Sequence, residues 1–170
     1  MDFYSRISDY YNDIFPLNYI QVTFVLSYLD KSAKNQNLMD IGCGTGLLST
    51  ALSDNFDSIS AIDTNEKMLE IARQSAGAKS INFIRMSMLD IDIRFPEMSF
   101  DNAICFGNTI VHLQNIEEIE RFFKKVKFVL KPEGRFLCQL INYNFVLDSN
   151  LKGLPTIDNE KIKFERYYNV

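Results

Sequence analysis

The chain has no tryptophan, a single histidine, three cysteines and four prolines in 170 residues. One histidine without a Cys-x-x-Cys pair is too poor a ligand set for a zinc site. The cysteines, Cys43, Cys105 and Cys138, are odd in number and widely separated, so they do not form a disulfide framework. Each lies in or beside an apolar stretch, which reads as reduced core thiols in a cytoplasmic protein. An excess of positive charge is also missing: 18 Lys and Arg stand against 22 Asp and Glu, a formal net charge of −4. The basic clusters are Lys124-Lys125-Val126-Lys127 and Lys161-Ile162-Lys163, and the first falls on an amphipathic helix as a solvated face. Proteins that live on phosphate contacts carry a basic patch or stripe, so nucleic acid is disfavoured as a partner. No apolar run is long enough to span a bilayer. Asp2, Arg6, Asp9 and Asp13 interrupt the N-terminal apolar residues, unlike a signal peptide.

What the chain does have is 46% hydrophobic residues, 14 phenylalanines and 8 tyrosines, enough for one aromatic-rich core. Its most informative stretch is Leu38-Met39-Asp40-Ile41-Gly42-Cys43-Gly44-Thr45-Gly46-Leu47-Leu48-Ser49. It reads as an apolar strand ending in an acid, a glycine-spaced turn, then a helix start. Glycines let a ligand lie against the backbone, and the helix aims unpaired N–H groups at it. The first βα turn of a doubly wound sheet is the usual place for such a nucleotide site. The G-x-G-x-G spacing differs from the G-x-G-x-x-G dinucleotide fingerprint, and the Asp40 carboxylate would repel a pyrophosphate while suiting an ammonium group. Both points count against a nicotinamide-dependent oxidoreductase.

Hydrophobic periodicity places the elements. Phe3 to Ile14 reads as a short tyrosine-rich helix. Pro16 starts a second helix carrying Leu17, Ile20, Phe24 and Tyr28, and Lys31 to Asn37 is a polar loop. Short apolar strands are expected at Leu38–Ile41, Ile59–Ile62, Ile81–Ile84, Asp101–Phe106 and Arg135–Ile141. Thr64 or Asn65 caps a helix through Met68, Leu69 and Ala72 that ends near Gly77. Leu89 to Ser99 is mainly loop. Ile116, Ile119, Phe122, Phe123, Val126 and Leu130 form one helical stripe, and Lys131-Pro132-Glu133-Gly134 is a turn. Strands alternating with helices at this spacing predict an α/β, Rossmann-like, doubly wound and mainly parallel sheet with helices on both faces.

The D-x-G-x-G-x-G segment, with Asp63 ending the second strand, resembles motif I of the class I S-adenosylmethionine-dependent methyltransferases. The resemblance covers nearly all of Tyr10 to Tyr143. It implies one methyltransferase domain over residues 1–170: N-terminal helices at 1–35 folded as a lid, a cofactor core at 36–142, and a partial C-terminal extension at 143–170. It implies S-adenosylmethionine as cofactor and an unidentified, small-molecule acceptor. Gly42, Cys43, Gly44 and Gly46 would cradle the methionine part, Asp40 would help hold its amino group, and Asp63 would accept hydrogen bonds from the ribose hydroxyls. Thr64 and Met68 lie where the family contacts adenine, although capping and core packing suit them equally. Ser87 and the Met88 amide would meet the adenine edge, with Asp90 as the alternative to Ser87. Phe106 and Asn108 follow the fourth strand beside the transferable methyl, or serve only to turn the chain. His112 is either a general base for the acceptor or a structural residue. Tyr11 is either a lid contact or a hydrophobic anchor.

The family continues after the fifth strand with a further helix and two strands. Residues 143 to 170 are expected to hold one connection and one strand, Lys161–Tyr168, so the chain reads as truncated or naturally short. The sheet edge left open would favour a homo-oligomer. A cofactor-binding protein without transfer activity is the second reading.

Overall fold

A computed structural model describes residues 3–29 and 36–168. The loop expected at Lys31 to Asn37 therefore lies outside the described residues as far as residue 35. The described chain forms two compact units. One runs from Asn18 to Leu140, and the other joins the two ends, Met1–Leu17 and Ile141–Val170.

The N-terminal helix expected over Phe3–Ile14 is broken into α1 (Phe3–Ile7) and α2 (Tyr11–Ile14) by a 3-10 turn at Ser8–Tyr10. Pro16 does not start the next helix. Instead α3 (Tyr19–Ser27) begins after Asn18, whose side chain accepts the Ile20 amide, because a side-chain cap satisfies an amide that proline cannot.

The larger unit continues through β1 (Asn37–Ile41), α4 (Leu47–Leu52), β2 (Ser58–Asp63), α5 (Glu66–Ala76), β3 (Ile81–Arg85), α6 (Ile91–Arg94), β4 (Phe100–Cys105), α7 (Ile116–Val129) and β5 (Leu130–Cys138). The five strands form one parallel sheet in the order β3-β2-β1-β4-β5. That order reverses between β1 and β4, which makes the carboxyl ends of these strands the topological switch point.

Strand alternation divides the core between the two faces. Leu38, Ile59, Ala61 and Ile104 pack with Val25 of α3, Leu52 of α4 and Leu69 and Ala72 of α5. Met39, Ile41, Ile62 and Ala103 pack on the other face with Ile91 of α6 and Phe122, Val126 and Val129 of α7. Helices thus cover both faces, as the element order predicts. The helix starts are set by asparagine: Asn65 accepts the Met68 amide and Asn115 the Glu118 amide. Asn65, rather than Thr64, is therefore the cap of α5.

The stretch expected to be mainly loop, Leu89–Ser99, is loop outside α6, one turn anchored by the fully buried Ile91. The turn at Lys131–Gly134 lies inside β5, which starts at Leu130. Its residues form an irregularity between the pairs Phe100↔Leu130 and Asn102↔Arg135, with Glu133 at φ +64°.

The second unit adds α8 (Tyr143–Asp148) and an antiparallel pair, β6 (Gly153–Asp158) and β7 (Lys163–Tyr167). The C-terminal residues thus form a helix and a hairpin rather than one connection and one strand. Among the described residues, the hairpin is a sheet of its own. Phe164 of β7 packs on Phe3 and Phe15, at ring separations of 6.3 and 5.9 Å. Arg166 lies over both Phe15 and Phe164. Lys161 pairs with Asp13 at 2.9 Å.

Candidate cofactor site

The turn after β1 is built on positive φ. Gly42, Gly44 and Gly46 have φ of +74°, +54° and +71°. At two of them space is closed as well. A Cβ on Gly42 would stand 2.3 Å from Thr109 Cγ2, and one on Gly46 2.7 Å from the Phe83 ring. Only glycine satisfies both the dihedral and the clearance. The Gly42 and Cys43 amides donate to the Ile62 carbonyl at 2.8 and 3.0 Å, which joins the turn to the end of β2.

Two carboxylates face this turn from adjacent strands. Asp63, the last residue of β2, is half-buried. Its Oδ2 accepts the Gly44 amide at 2.9 Å and its Oδ1 accepts the Asn65 amide at 2.8 Å. A carboxylate offers about four lone-pair sites, so capacity remains for two ligand hydroxyls. Asp40, the fourth residue of β1, is 3% exposed and accepts Ser49 Oγ at 2.6 Å. Burial pushes its carboxyl up to about 6, the Asp63 charge adds to the rise, and the Ser49 hydrogen bond opposes it. The Cys43 thiol is pushed well above its ordinary value, first by burial and then by the Asp40 and Asp63 charges. Such a thiol is a neutral wall, not a nucleophile.

The other expected residues ring this turn to different degrees. Thr64 is exposed directly after Asp63, whereas Met68 is 1% exposed within α5. Past β3, Ser87 Oγ accepts the Leu89 amide at 3.1 Å and Met88 packs into the core beneath α7. The β3 exit is tied to the site because the Met86 amide donates to the Asp63 carbonyl at 2.9 Å. Past β4, the Phe106 carbonyl accepts Thr109 Oγ1 at 2.8 Å, and Asn108 takes φ +65°. His112 is exposed at the end of a 3-10 turn, where its carbonyl accepts Gln114 Nε2. Tyr11 belongs to the other unit and packs there on Phe15, with ring centres 5.0 Å apart.

Four residues at this end of the sheet escaped the sequence reading. Ser49 fixes the Asp40 carboxylate, and its signal is a fully buried hydroxyl in the short helix after the glycine turn. Thr109 fills the space above Gly42. Gln139, just past β5, receives the Gly107 amide at 3.2 Å and Gln21 Nε2 at 2.7 Å on one oxygen. Gln139 and Gln21 thereby link α3, the loop after β4 and the end of β5. Nothing in their local sequence marks the pairing, since they are 118 residues apart.

A glycine turn held at positive φ, an ammonium-compatible buried carboxylate and a second carboxylate with room for a diol fit a ligand built from an amino acid and a nucleoside. The comparisons with known proteins agree. The chain matches the family model for a methyltransferase domain over residues 38–134. It is 28% identical over 123 residues to a ubiquinone biosynthesis O-methyltransferase of Coxiella burnetii, covering 71% of this chain and 50% of that protein. It is 31% identical over 107 residues to a demethylmenaquinone methyltransferase of Symbiobacterium thermophilum, covering 60% of this chain and 41% of that one. The chain thus spans about half the length, or less, of these relatives. Among solved structures, an S-adenosylmethionine-dependent methyltransferase from Clostridium acetobutylicum superposes with a TM-score of 0.76 at 19% identity, covering 96% of this chain and 68% of that one. An amino pentose methyltransferase from Micromonospora echinaspora, solved with S-adenosylmethionine bound, gives 0.66 at 17% identity over 83% of this chain and 58% of that one. These likenesses carry the fold, and with the family match over more than half of the residues, the chain belongs to the class I S-adenosylmethionine-dependent methyltransferases.

Proposed function

We propose that the chain binds S-adenosylmethionine at the carboxyl ends of β1 and β2 and takes part in transfer of its methyl group to a small-molecule acceptor. The observation that carries this reading is the pair of carboxylates on one glycine turn: Asp40 buried behind it and Asp63 bonded to its central amide. When bound, the cofactor supplies an electrophilic methyl on a sulfonium. The protein's share is orientation, because holding reactants at near-attack geometry accounts for much of the rate in such transfers.

In this reading Asp63 receives the ribose hydroxyls, and Asp40 holds the amino group directly or through water. The backbone of Gly42, Cys43, Gly44 and Gly46 lines the methionine part. Thr64, Ser87 and the Met88 amide border the adenine, with Met68 supporting that wall from the core. Phe106 and Asn108 flank the methyl, and His112 takes a proton from an acceptor that arrives protonated. The quinone-pathway names of the two relatives support a small acceptor, and the negative net charge argues against nucleic acid. A cytoplasmic setting is part of the proposal and is supported by three free cysteines. Pairing of two copies along β5, an edge strand of the described sheet, is a further part of it.

The test is a methyl-transfer assay with isotopically labelled S-adenosylmethionine against a panel of phenols, amines and quinols. Label in an acceptor, lost in Asp63→Ala, supports transfer. Tight cofactor binding with no label in any acceptor would leave the second reading, a cofactor-binding protein without transfer activity.

A further inference from the structure

Cys105 and Cys138 stand opposite one another in the parallel β4–β5 ladder. The preceding pairs show which way they point. Ala103 and Phe136 pack on the α7 face, while Ile104 and Leu137 pack on the α3–α5 face. Alternation therefore sends both thiols to the α7 side of the sheet. Neighbouring strands run roughly 4.8 Å apart, inside the Cα separation of about 4.4–6.8 Å that a disulfide bridges. Access differs between the two: Cys105 is 0% exposed, whereas Cys138 is exposed. The expectation that all three cysteines are core thiols thus fails at Cys138, because β5 is an edge strand.

The sulfurs also interact. The neighbouring Cys105 thiol brings Cys138 down to about 7, against the opposing effect of burial. The same contact and burial push Cys105 far up. The exposed residue thus carries the more nucleophilic thiol, and its buried ladder partner stays protonated. The strand ends carrying them lead directly into the site: Phe106 follows Cys105, and Gln139, which follows Cys138, donates its amide to the Cys105 carbonyl at 3.0 Å.

We propose that Cys105 and Cys138 form a dithiol modification site that closes to an intrachain disulfide when a small disulfide such as oxidised glutathione reaches Cys138. The Cys138 thiolate attacks one sulfur of the oxidant, whose S–S bond breaks and releases a glutathione thiolate. Cys105 gives its proton to that thiolate and attacks the Cys138 sulfur, expelling the second glutathione thiolate, which takes a proton from water. The two cysteines are oxidised by two electrons, and one glutathione disulfide is reduced to two thiols. The bond would join β4 to β5 at the roots of the Phe106–Asn108 loop and of Gln139. This inference is independent of the methyl-transfer reading, since it requires neither cofactor nor acceptor.

The experiment is exposure of the folded chain to oxidised glutathione, alkylation of the remaining thiols, and peptide mass spectrometry. The expected product has lost two hydrogens, links the Cys105 and Cys138 peptides, leaves Cys43 alkylated, and reverts with dithiothreitol. Cys105→Ser should stop at a glutathione adduct on Cys138, and Cys138→Ser should leave Cys105 unmodified. A lasting glutathione adduct on Cys138 of the wild-type chain, alkylation of both thiols, or a bond to Cys43 would each overturn the proposal. The wild-type measurement decides even where a variant folds poorly.

Discussion

Asp63 Oδ2 accepts the Gly44 amide at 2.9 Å across the gap between β2 and the turn after β1. The acid that the proposal assigns to the ribose is therefore also what fixes the central glycine of the turn. Asp63→Ala should weaken S-adenosylmethionine binding by about 1–3 kcal/mol through lost charge-assisted hydrogen bonds. It should also loosen the turn. Asp63→Asn, which keeps an acceptor oxygen for Gly44, should lose less affinity. Calorimetry on both variants checks this, and equal affinity in wild type and Asp63→Ala would remove the ribose assignment.

Asp40 gives a pH dependence with a definite sign. Its carboxyl titrates at 3.8 when unperturbed and at about 6 in the fold. The folded chain therefore holds a proton that the unfolded chain has released between those values. The stability contributed by that proton is fully present below 3.8 and is lost as pH rises through about 6. Above that, the buried charge costs ~3 kcal/mol. Asp40→Asn should raise the melting temperature at neutral pH. If Asp40 faces the cofactor ammonium, wild-type affinity should strengthen from about pH 5 to pH 7.5, and the Asn variant should lose that dependence. An identical pH profile in the two proteins would take Asp40 out of the site.

Gly42→Ala places a Cβ 2.3 Å from Thr109 Cγ2 at a φ of +74°. Strain and overpacking together should cost roughly 2–4 kcal/mol. Thr109→Ala in the same chain should recover part of that loss, since it removes both nearest atoms. Thermal denaturation of the single and double variants measures it, and a double variant no better than Gly42→Ala would mean that the clash is not the cause.

The core of the fold and the glycine turn were legible because each level of the sequence agrees there. Leu38–Ile41 is apolar and short, the glycines need positive φ, and Asp63 ends the next apolar run. The C-terminal hairpin was not legible. β6 carries Pro155 and begins at Gly153, where a Cβ would stand 2.1 Å from the Arg166 carbonyl oxygen, so it looks like a loop until its partner is known. The β5 start was hidden in the same way by Pro132 and Gly134, which make an irregularity within the strand rather than a stop before it. Ser49 and Gln139 were missed because their roles depend on residues brought near only by the fold.

Gln139 holds the loop after β4 through the Gly107 amide while receiving Gln21. Gln139→Ala should leave overall stability within about 1 kcal/mol, as expected for exposed hydrogen bonds. Amide hydrogen exchange at Gly107 should nevertheless quicken. Unchanged protection at Gly107 would mean that the loop is held by other contacts.

The most direct test of the account is calorimetric titration of the purified chain with S-adenosylmethionine, S-adenosylhomocysteine and NAD. The account predicts one-to-one binding of both sulfur ligands, weakened in Asp63→Ala by about 1–3 kcal/mol, and no binding of NAD. NAD binding at the same site, or a folded chain that binds neither sulfur ligand, would contradict it.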